Sequence, residues 1–293
     1  MIEPACLQNV LLADDGSDHA RAAVQLLLSL PLSPDTHITV LRVFGSQQAT
    51  EVFPLEAALQ DTCTLLRDKG LKADPELLLG YPAEKIIEYA DQRHPDLIVL
   101  GAKGLRATLG ILLGGVAQQV IEYASCPVLV VRASLKKLQR FLLVVDESPY
   151  SLHAAECLAN FPFPDQADLR VMHVLPPHYL SAVAEMPYGV PIEQPSMLTE
   201  EIALQRAAEE EQGQHLLTRM TELLASSNLQ VKTVLKRGDA ATEIMDYVKA
   251  NQIDLIVAGS RGLSRMRSWL LGSVSRKLVH YSGCSVLIVR GKE

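Results

Sequence analysis

Residues 95–101 read Pro-Asp-Leu-Ile-Val-Leu-Gly, and residues 253–259 read Ile-Asp-Leu-Ile-Val-Ala-Gly. Each is a short apolar run rich in β-branched residues and ended by glycine, which is the pattern of a strand buried on both faces. The two runs stand 158 positions apart. Cys126-Pro-Val-Leu-Val-Val-Arg132 and Cys284-Ser-Val-Leu-Ile-Val-Arg290 share that spacing, as do Gly80 and Gly238. A second register of 131 positions links earlier segments. The stretch Val10-Leu-Leu-Ala-Asp-Asp-Gly-Ser17 is echoed by Leu142-Leu-Val-Val-Asp-Glu-Ser148, with Asp15 opposite Asp146, and Leu41-Arg-Val43 by Met172-His-Val174. One domain is therefore written twice. The difference between the registers places 27 extra residues of the second copy between Val174 and Gly238. The expected domains are 1–135 and 139–293, with an insertion at about 176–200 and a join near Ala133 to Gln139.

On either side of these runs, each copy alternates strand and helix. Val10–Ala13, Ile38–Val43, Leu77–Leu79, Leu97–Leu100 and Val128–Val131 are the expected strands of the first copy. Between them lie helical patterns such as residues 82–90, where Ile86, Ile87 and Ala90 share a face. Strands alternating with helices imply parallel pairing with right-handed crossovers. The expected class is α/β, as two tandem doubly wound parallel five-stranded sheets.

Composition bounds the function. The 293 residues suffice for two domains of ordinary size. A net charge of −7 with no block of Lys and Arg argues against a nucleic-acid partner. No apolar run approaches the ~20 residues that span a bilayer, so no membrane insertion is expected. The N-terminus lacks the basic and apolar regions of a secretion signal. Five cysteines with no C-x-x-C spacing fit a reducing cytoplasm better than a disulfide framework or a zinc site.

Ligands of open parallel sheets bind at the carboxyl ends of strands, where strand order reverses. Two loops in each copy stand at such ends. The loop after the first strand carries Asp15-Gly16-Ser17 or Asp146-Glu147-Ser148. The loop after the fourth strand is rich in glycine. In the second copy it reads Gly259-Ser-Arg-Gly262, nine residues, then Gly272-Ser273; in the first it reads Gly101-Ala-Lys-Gly104, nine residues, then Gly114-Gly115. Glycines let the backbone approach an anion, and a following helix offers its free N–H groups. Phosphate binding is one reading; tight turns with Ser273 as a helix N-cap is the other. The aspartates likewise either accept hydrogen bonds from a ribose or base, or cap the next helix.

These residues resemble the universal stress protein family over essentially the whole chain, twice. The most specific element is G-x2-G-x9-G-[ST], met in full by Gly259, Gly262, Gly272 and Ser273 and followed by Val274-Ser275. In that family the motif belongs to ATP-binding members. The resemblance implies a sandwich of the adenine-nucleotide α-hydrolase or flavodoxin type, holding ATP, with Mg2+ as a possible companion. By analogy, Asp15 and Asp146 meet the adenosine, Val43 and Val174 flank the adenine, and the glycines with Ser273 hold ribose and phosphates. The first copy departs from the motif at Gly115, which lacks the hydroxyl. The second copy has Glu147 in place of glycine. The second copy is thus the better phosphate cradle. Family members commonly pair through their last strands, so Val128–Arg132 and Val286–Arg290 are expected to pair within one molecule as a pseudo-dimer, and the chain to form a homodimer.

Other residues carry weaker signals. Lys103 and Arg261 lie inside the glycine loops, where they either neutralise phosphate or are solvated; Arg265 and Arg267 lie in the spacer. His173 reads as a core or strand-end residue, and Cys126 and Cys284 as buried thiols. The inserted segment, with Tyr179, Met186 and Tyr188, is open to a role as lid, oligomer arm, pocket wall or tether. No base or activated nucleophile stands out. An ATP-binding stress or regulatory protein is the leading expectation, with a slow ATPase and a carrier of an apolar or lipid-like ligand as alternatives.

Overall fold

The computed structural model describes residues 7–46, 52–105, 113–134, 137–177, 195–225, 229–262 and 271–291. In the first half the elements are β1 (Asn9–Ala13), α1 (Asp18–Ser29), β2 (His37–Phe44), α2 (Val52–Arg67), β3 (Lys72–Leu79), α3 (Pro82–Arg93), β4 (Leu97–Gly101), α4 (Gly115–Tyr123) and β5 (Val128–Val131). The second half repeats them as β6 (Arg140–Val145), α5 (Pro149–Ala159), β7 (Asp168–Leu175), α6 (Pro195–Leu224), β8 (Val231–Arg237), α7 (Ala240–Ala250), β9 (Leu255–Gly259), α8 (Ser273–Tyr281) and β10 (Ser285–Val289).

Among the described residues, ten strands join one sheet in the order β3-β2-β1-β4-β5-β10-β9-β6-β7-β8. Pairing is parallel within each half. At the seam β5 and β10 run antiparallel, with Val130 opposite Val286, Leu129 opposite Leu287 and Val128 opposite Ile288. The intramolecular pairing expected of the last strands is present. Each strand hides what would otherwise be the other's open edge.

Side-chain alternation builds two cores, one on each face. Val10 and Leu12 of β1, with Leu255 and Val257 of β9, face a core closed by α1, α2, α5 and α6. Leu11, Ile256 and Ala258 face the opposite core, closed by α3, α4, α7 and α8. Both cores run across the seam.

The outer strands are less apolar than the central ones. β3 begins at Lys72 rather than at the expected Leu77, and pairs with β2 over eight residues through Pro75. An edge position tolerates a proline, because one side of the strand needs no ladder donor. Lys72 and Asp74 here, like Lys232 on β8, are exposed charges that blunt the edge.

Residues 178–194, which hold Tyr179, Met186 and Tyr188, lie outside the described residues, as do Cys6, Arg265 and Arg267. Part of the second half's extra length is helix: α6 spans 30 residues against 16 in α2.

Candidate functional site

Strand order reverses between β1 and β4, and again between β6 and β9. Above each reversal, at the carboxyl ends of the strands, is a cavity, of about 310 Å³ in the first half and about 200 Å³ in the second. Asp15, Val43, Gly101, Gly104, Gly114 and Gly115 all line the first. Asp146, Val174, Gly259, Arg261 and Gly262 line the second, joined by Gly272, Ser273, Val274 and Ser275. Residues far apart in sequence are thus brought to two equivalent places.

The aspartates do not cap the helices. Ser17 and Ser148 do, their hydroxyls accepting from Ala20 N and Ser151 N. Asp15 instead ties two loops together. Its Oδ1 accepts from Ser17 N at 3.0 Å, and its Oδ2 accepts from Leu105 N at 3.1 Å. The capping hydroxyl of Ser17 also donates to Lys103 O at 3.0 Å, so one serine closes the helix and anchors the glycine loop. In the second half Asp146 accepts from Ser148 N at 3.0 Å and from Ser151 Oγ at 2.7 Å, and Ser148 Oγ donates to Arg261 O at 3.4 Å. Glu147 is exposed and does not line the cavity.

A buried pair, Asp14 with Arg42, has no sequence signal of its own. Arg42 Nη2 donates to Asp14 Oδ2 at 2.7 Å, Arg42 Nε donates to Asp14 O at 2.8 Å, and Thr62 Oγ1 completes the carboxylate at 3.0 Å. It fastens α2 and β2 to the end of β1, beside the first cavity. The equivalent positions in the second half are Val145 and His173, where His173 Nδ1 lies 2.8 Å from Val145 O. His173 is therefore a strand-end residue with a backbone partner.

The glycines divide by role. A Cβ at Gly259 would stand 2.7 Å from the Tyr150 carbonyl carbon, and one at Gly101 would stand 2.8 Å from Ala20 N. These two glycines admit α5 and α1 against the strand ends. A Cβ at Gly104 or Gly262 would stand 2.5 Å from Oδ2 of Asp15 or Asp146. These second glycines let the carboxylate lie on the loop. Gly115 has open space around it.

Both cavities face the start of a helix. The N-caps of α4 and α8 are Gly114 and Gly272, neither of which offers a side-chain cap. Ser273 is thus the first residue of α8 and not its N-cap. Gly272 has the extended backbone a cap needs (ψ 156°), and its carbonyl accepts from Arg276 N. The first N–H groups of α4 and α8 carry the positive end of the helix dipole toward the cavity. Ser275 turns inward, its hydroxyl donating to Gly259 O at 2.7 Å. Arg261 lies over the Tyr150 ring at 5.6 Å and donates to its hydroxyl at 3.1 Å, which holds a guanidinium at the rim of the second cavity.

The opposite wall is apolar: Leu41, Val43, Ile86 and Leu100 in the first cavity, and Val144, Val174, Ile244 and Ala258 in the second. Val144 stands where the first half has Ala13.

A model of the universal stress protein family matches residues 7–132 and again residues 137–290. The chain belongs to the universal stress protein family. The universal stress protein YxiE of Bacillus subtilis (strain 168) is 31% identical over 151 residues, which are 52% of this chain and 98% of the relative. The universal stress protein MJ0531 of Methanocaldococcus jannaschii is 31% identical over 162 residues, 55% of this chain and 87% of the relative. In each case a nearly whole universal stress protein corresponds to about half of this chain. Among solved structures, a universal stress protein from Archaeoglobus fulgidus DSM 4304 superposes with a TM-score of 0.64 at 19% identity, covering 97% of this chain and 98% of the other. A functionally unknown protein, PA1789 of Pseudomonas aeruginosa PAO1, gives 0.68 at 15% identity, covering 97% and 92%. At these identities the likeness is one of fold.

Elsewhere in this universal stress protein, a cavity of about 610 Å³ lies at the amino ends of β6, β9 and β10. It is the wrong end of the strands for a switch-point ligand. Cys126, Cys157 and Cys284 are half-buried, so Cys126 and Cys284 are not the buried thiols expected; desolvation of the sulfurs pushes Cys126 up to about 12 and Cys157 and Cys284 up to about 11. Among the described residues, no group of three His, Cys, Asp or Glu side chains could hold a metal ion, and no helix is long and apolar enough to cross a membrane.

Proposed function

We propose that this universal stress protein binds adenine nucleotide, ATP foremost, in its two switch-point cavities, and that occupancy is its regulatory output. One observation carries the reading. Each cavity pairs an apolar wall with a helix N-terminus that has no side-chain cap. A purine fits the wall, and phosphates fit the N–H groups and the dipole. Asp15 and Asp146 stand between the two ends, within reach of a ribose. Ser273 and Arg261 give the second cavity the stronger phosphate end. A Mg2+ ion would arrive on the phosphate oxygens.

Regulation is favoured over turnover by the lining residues. The described linings contain no His or Cys, and their three aspartates are already engaged, Asp14 with Arg42 and Asp15 and Asp146 with loop N–H groups. The cytoplasm and a homodimer complete the proposal. Since β5 and β10 use each other, such a dimer would form through another surface; sedimentation of the full chain tests it.

Calorimetric titration with ATP and ADP is the decisive experiment. Binding of ATP with a stronger and a weaker site is expected. No heat of binding at millimolar nucleotide would sink the proposal.

A further inference from the structure

The strands of the seam each lead into an arginine, and each arginine crosses to the other half. Arg132, after β5, donates from Nη2 to Val279 O at 2.8 Å in the last turn of α8. Arg290, after β10, donates from Nη2 to Ile121 O and Glu122 O in the last turn of α4. Ile121 and Val279 are the same position of the repeat, so one contact is made twice across the pseudo-two-fold. Carbonyls of a last helical turn lack intrahelical donors, and a cation there meets the negative end of the dipole. Arg132 is only 6% exposed, and its own N–H donates to Ser285 Oγ across the seam.

The same arginines adjoin their own glycine loops. Val131 O, one residue before Arg132, accepts from Ala102 N at 2.8 Å. Val289 O, one residue before Arg290, accepts from Ser260 N at 2.8 Å. Each loop is bonded in turn to the start of its own helix, through Gly114 N to Ala102 O and Gly272 N to Ser260 O. Arg132 and Arg290 thus each stand between the glycine loop of one half and the far end of the phosphate-facing helix of the other.

We infer that Arg132 and Arg290 are positioning residues that couple the two cavities, each holding in place the helix whose N-terminus faces the phosphates of the other half. The inference rests on the nucleotide reading above. α4 and α8 are nine residues long, so each is short enough to shift as a body. Phosphate drawn to Ser273 pulls α8 toward the second cavity, and through Val279 O the helix draws on Arg132 and thereby on the loop of the first cavity. The coupling is reciprocal, as linkage requires.

Hydrogen exchange of the full chain, titrated with ATP and read by peptide, tests this. Protection of residues 113–118 reports the first cavity and protection of residues 271–276 the second. Arg132→Met is expected to raise the ATP concentration that half-protects 271–276 about fivefold, equivalent to about 1 kcal/mol, with a smaller change at 113–118. Arg290→Met is expected to give the mirror image. Arg132→Lys keeps a cation at Val279 and should recover most of the loss; it also serves as the reporter if Arg132→Met does not fold, by a crosswise shift of at least twofold. Shifts confined to the mutated arginine's own half, or none while the wild type is protected, would overturn the coupling. A wild type unprotected at millimolar ATP would overturn the nucleotide reading itself.

Discussion

At the scale of single residues, glycines that look alike in the motif face different neighbours. Gly259 is pressed against α5, where an added methyl would meet the Tyr150 carbonyl carbon at 2.7 Å and its oxygen at 2.8 Å. Backbone cannot swing aside as a flexible side chain can. Gly259→Ala is therefore expected to lower unfolding stability by about 1–3 kcal/mol as overpacking, whether or not nucleotide is present. Urea denaturation measures it, and a loss below about 0.5 kcal/mol would show that α5 yields freely. Gly115 has nothing near it, so Gly115→Ser should leave stability unchanged and add a hydroxyl to the phosphate end of the first cavity. A net hydrogen bond of about 0.5–1.5 kcal/mol is roughly a two- to twelvefold gain in ATP affinity there, and Ser273→Gly should lose as much in the second cavity. Unchanged affinities in both variants would remove the hydroxyl from the phosphate site.

At the scale of elements, α1 is tied to the end of β5 by a titratable group. His19, in its first turn, lies with Nδ1 3.1 Å from Ala133 N, and only an unprotonated Nδ1 accepts that N–H. Burial lowers the imidazole below its ordinary value; the charges of Lys103 and Arg132 add to the shift, while Val131 O and Asp18 oppose it. With the folded value below the unfolded 6.5, the unfolded chain binds more protons between the two. The stability contributed by this contact is complete above about pH 6.5 and is lost as pH falls through the folded value. His19→Asn, whose oxygen can accept from Ala133 N, should flatten the decline in urea midpoint between pH 7 and 5; an equally steep decline would exclude His19 as its source. Elements differ in how openly the sequence displays them. β4, β9 and the glycine loops are legible because their signals are local: apolar runs, then glycines at fixed spacing. The amino half of β3 is hidden because an edge strand carries Lys72, Asp74, Pro75 and Glu76 where a central strand carries Val or Ile. The caps at Ser17 and Ser148 had a readable signal, a serine just before each helix, but the adjacent aspartates compete for the same reading. Asp14–Arg42 and the arginines of the seam were beyond reach, since each depends on strand pairing that brings distant residues together.

At the scale of the molecule, the β5–β10 seam makes two halves one body. Both cores cross it, and Leu129 and Leu287, paired at its centre, are 0% and 1% exposed. Each half alone would leave the last strand of its sheet as an open apolar edge, which favours association over independence. The chain should therefore unfold as one cooperative unit, although it is long enough for two domains. Leu287→Ala removes side-chain contacts from a site that four-residue β5 cannot readily refill, and an effect of about 2–5 kcal/mol is expected. The informative readout is where that loss is felt. Hydrogen exchange should show amides of β1 and β4, in the half that was not mutated, losing protection together with those of β6 and β9. If β1 and β4 keep wild-type protection while β6 and β9 lose theirs, the halves fold independently, and the seam is a contact between two domains and not the middle of a single sheet.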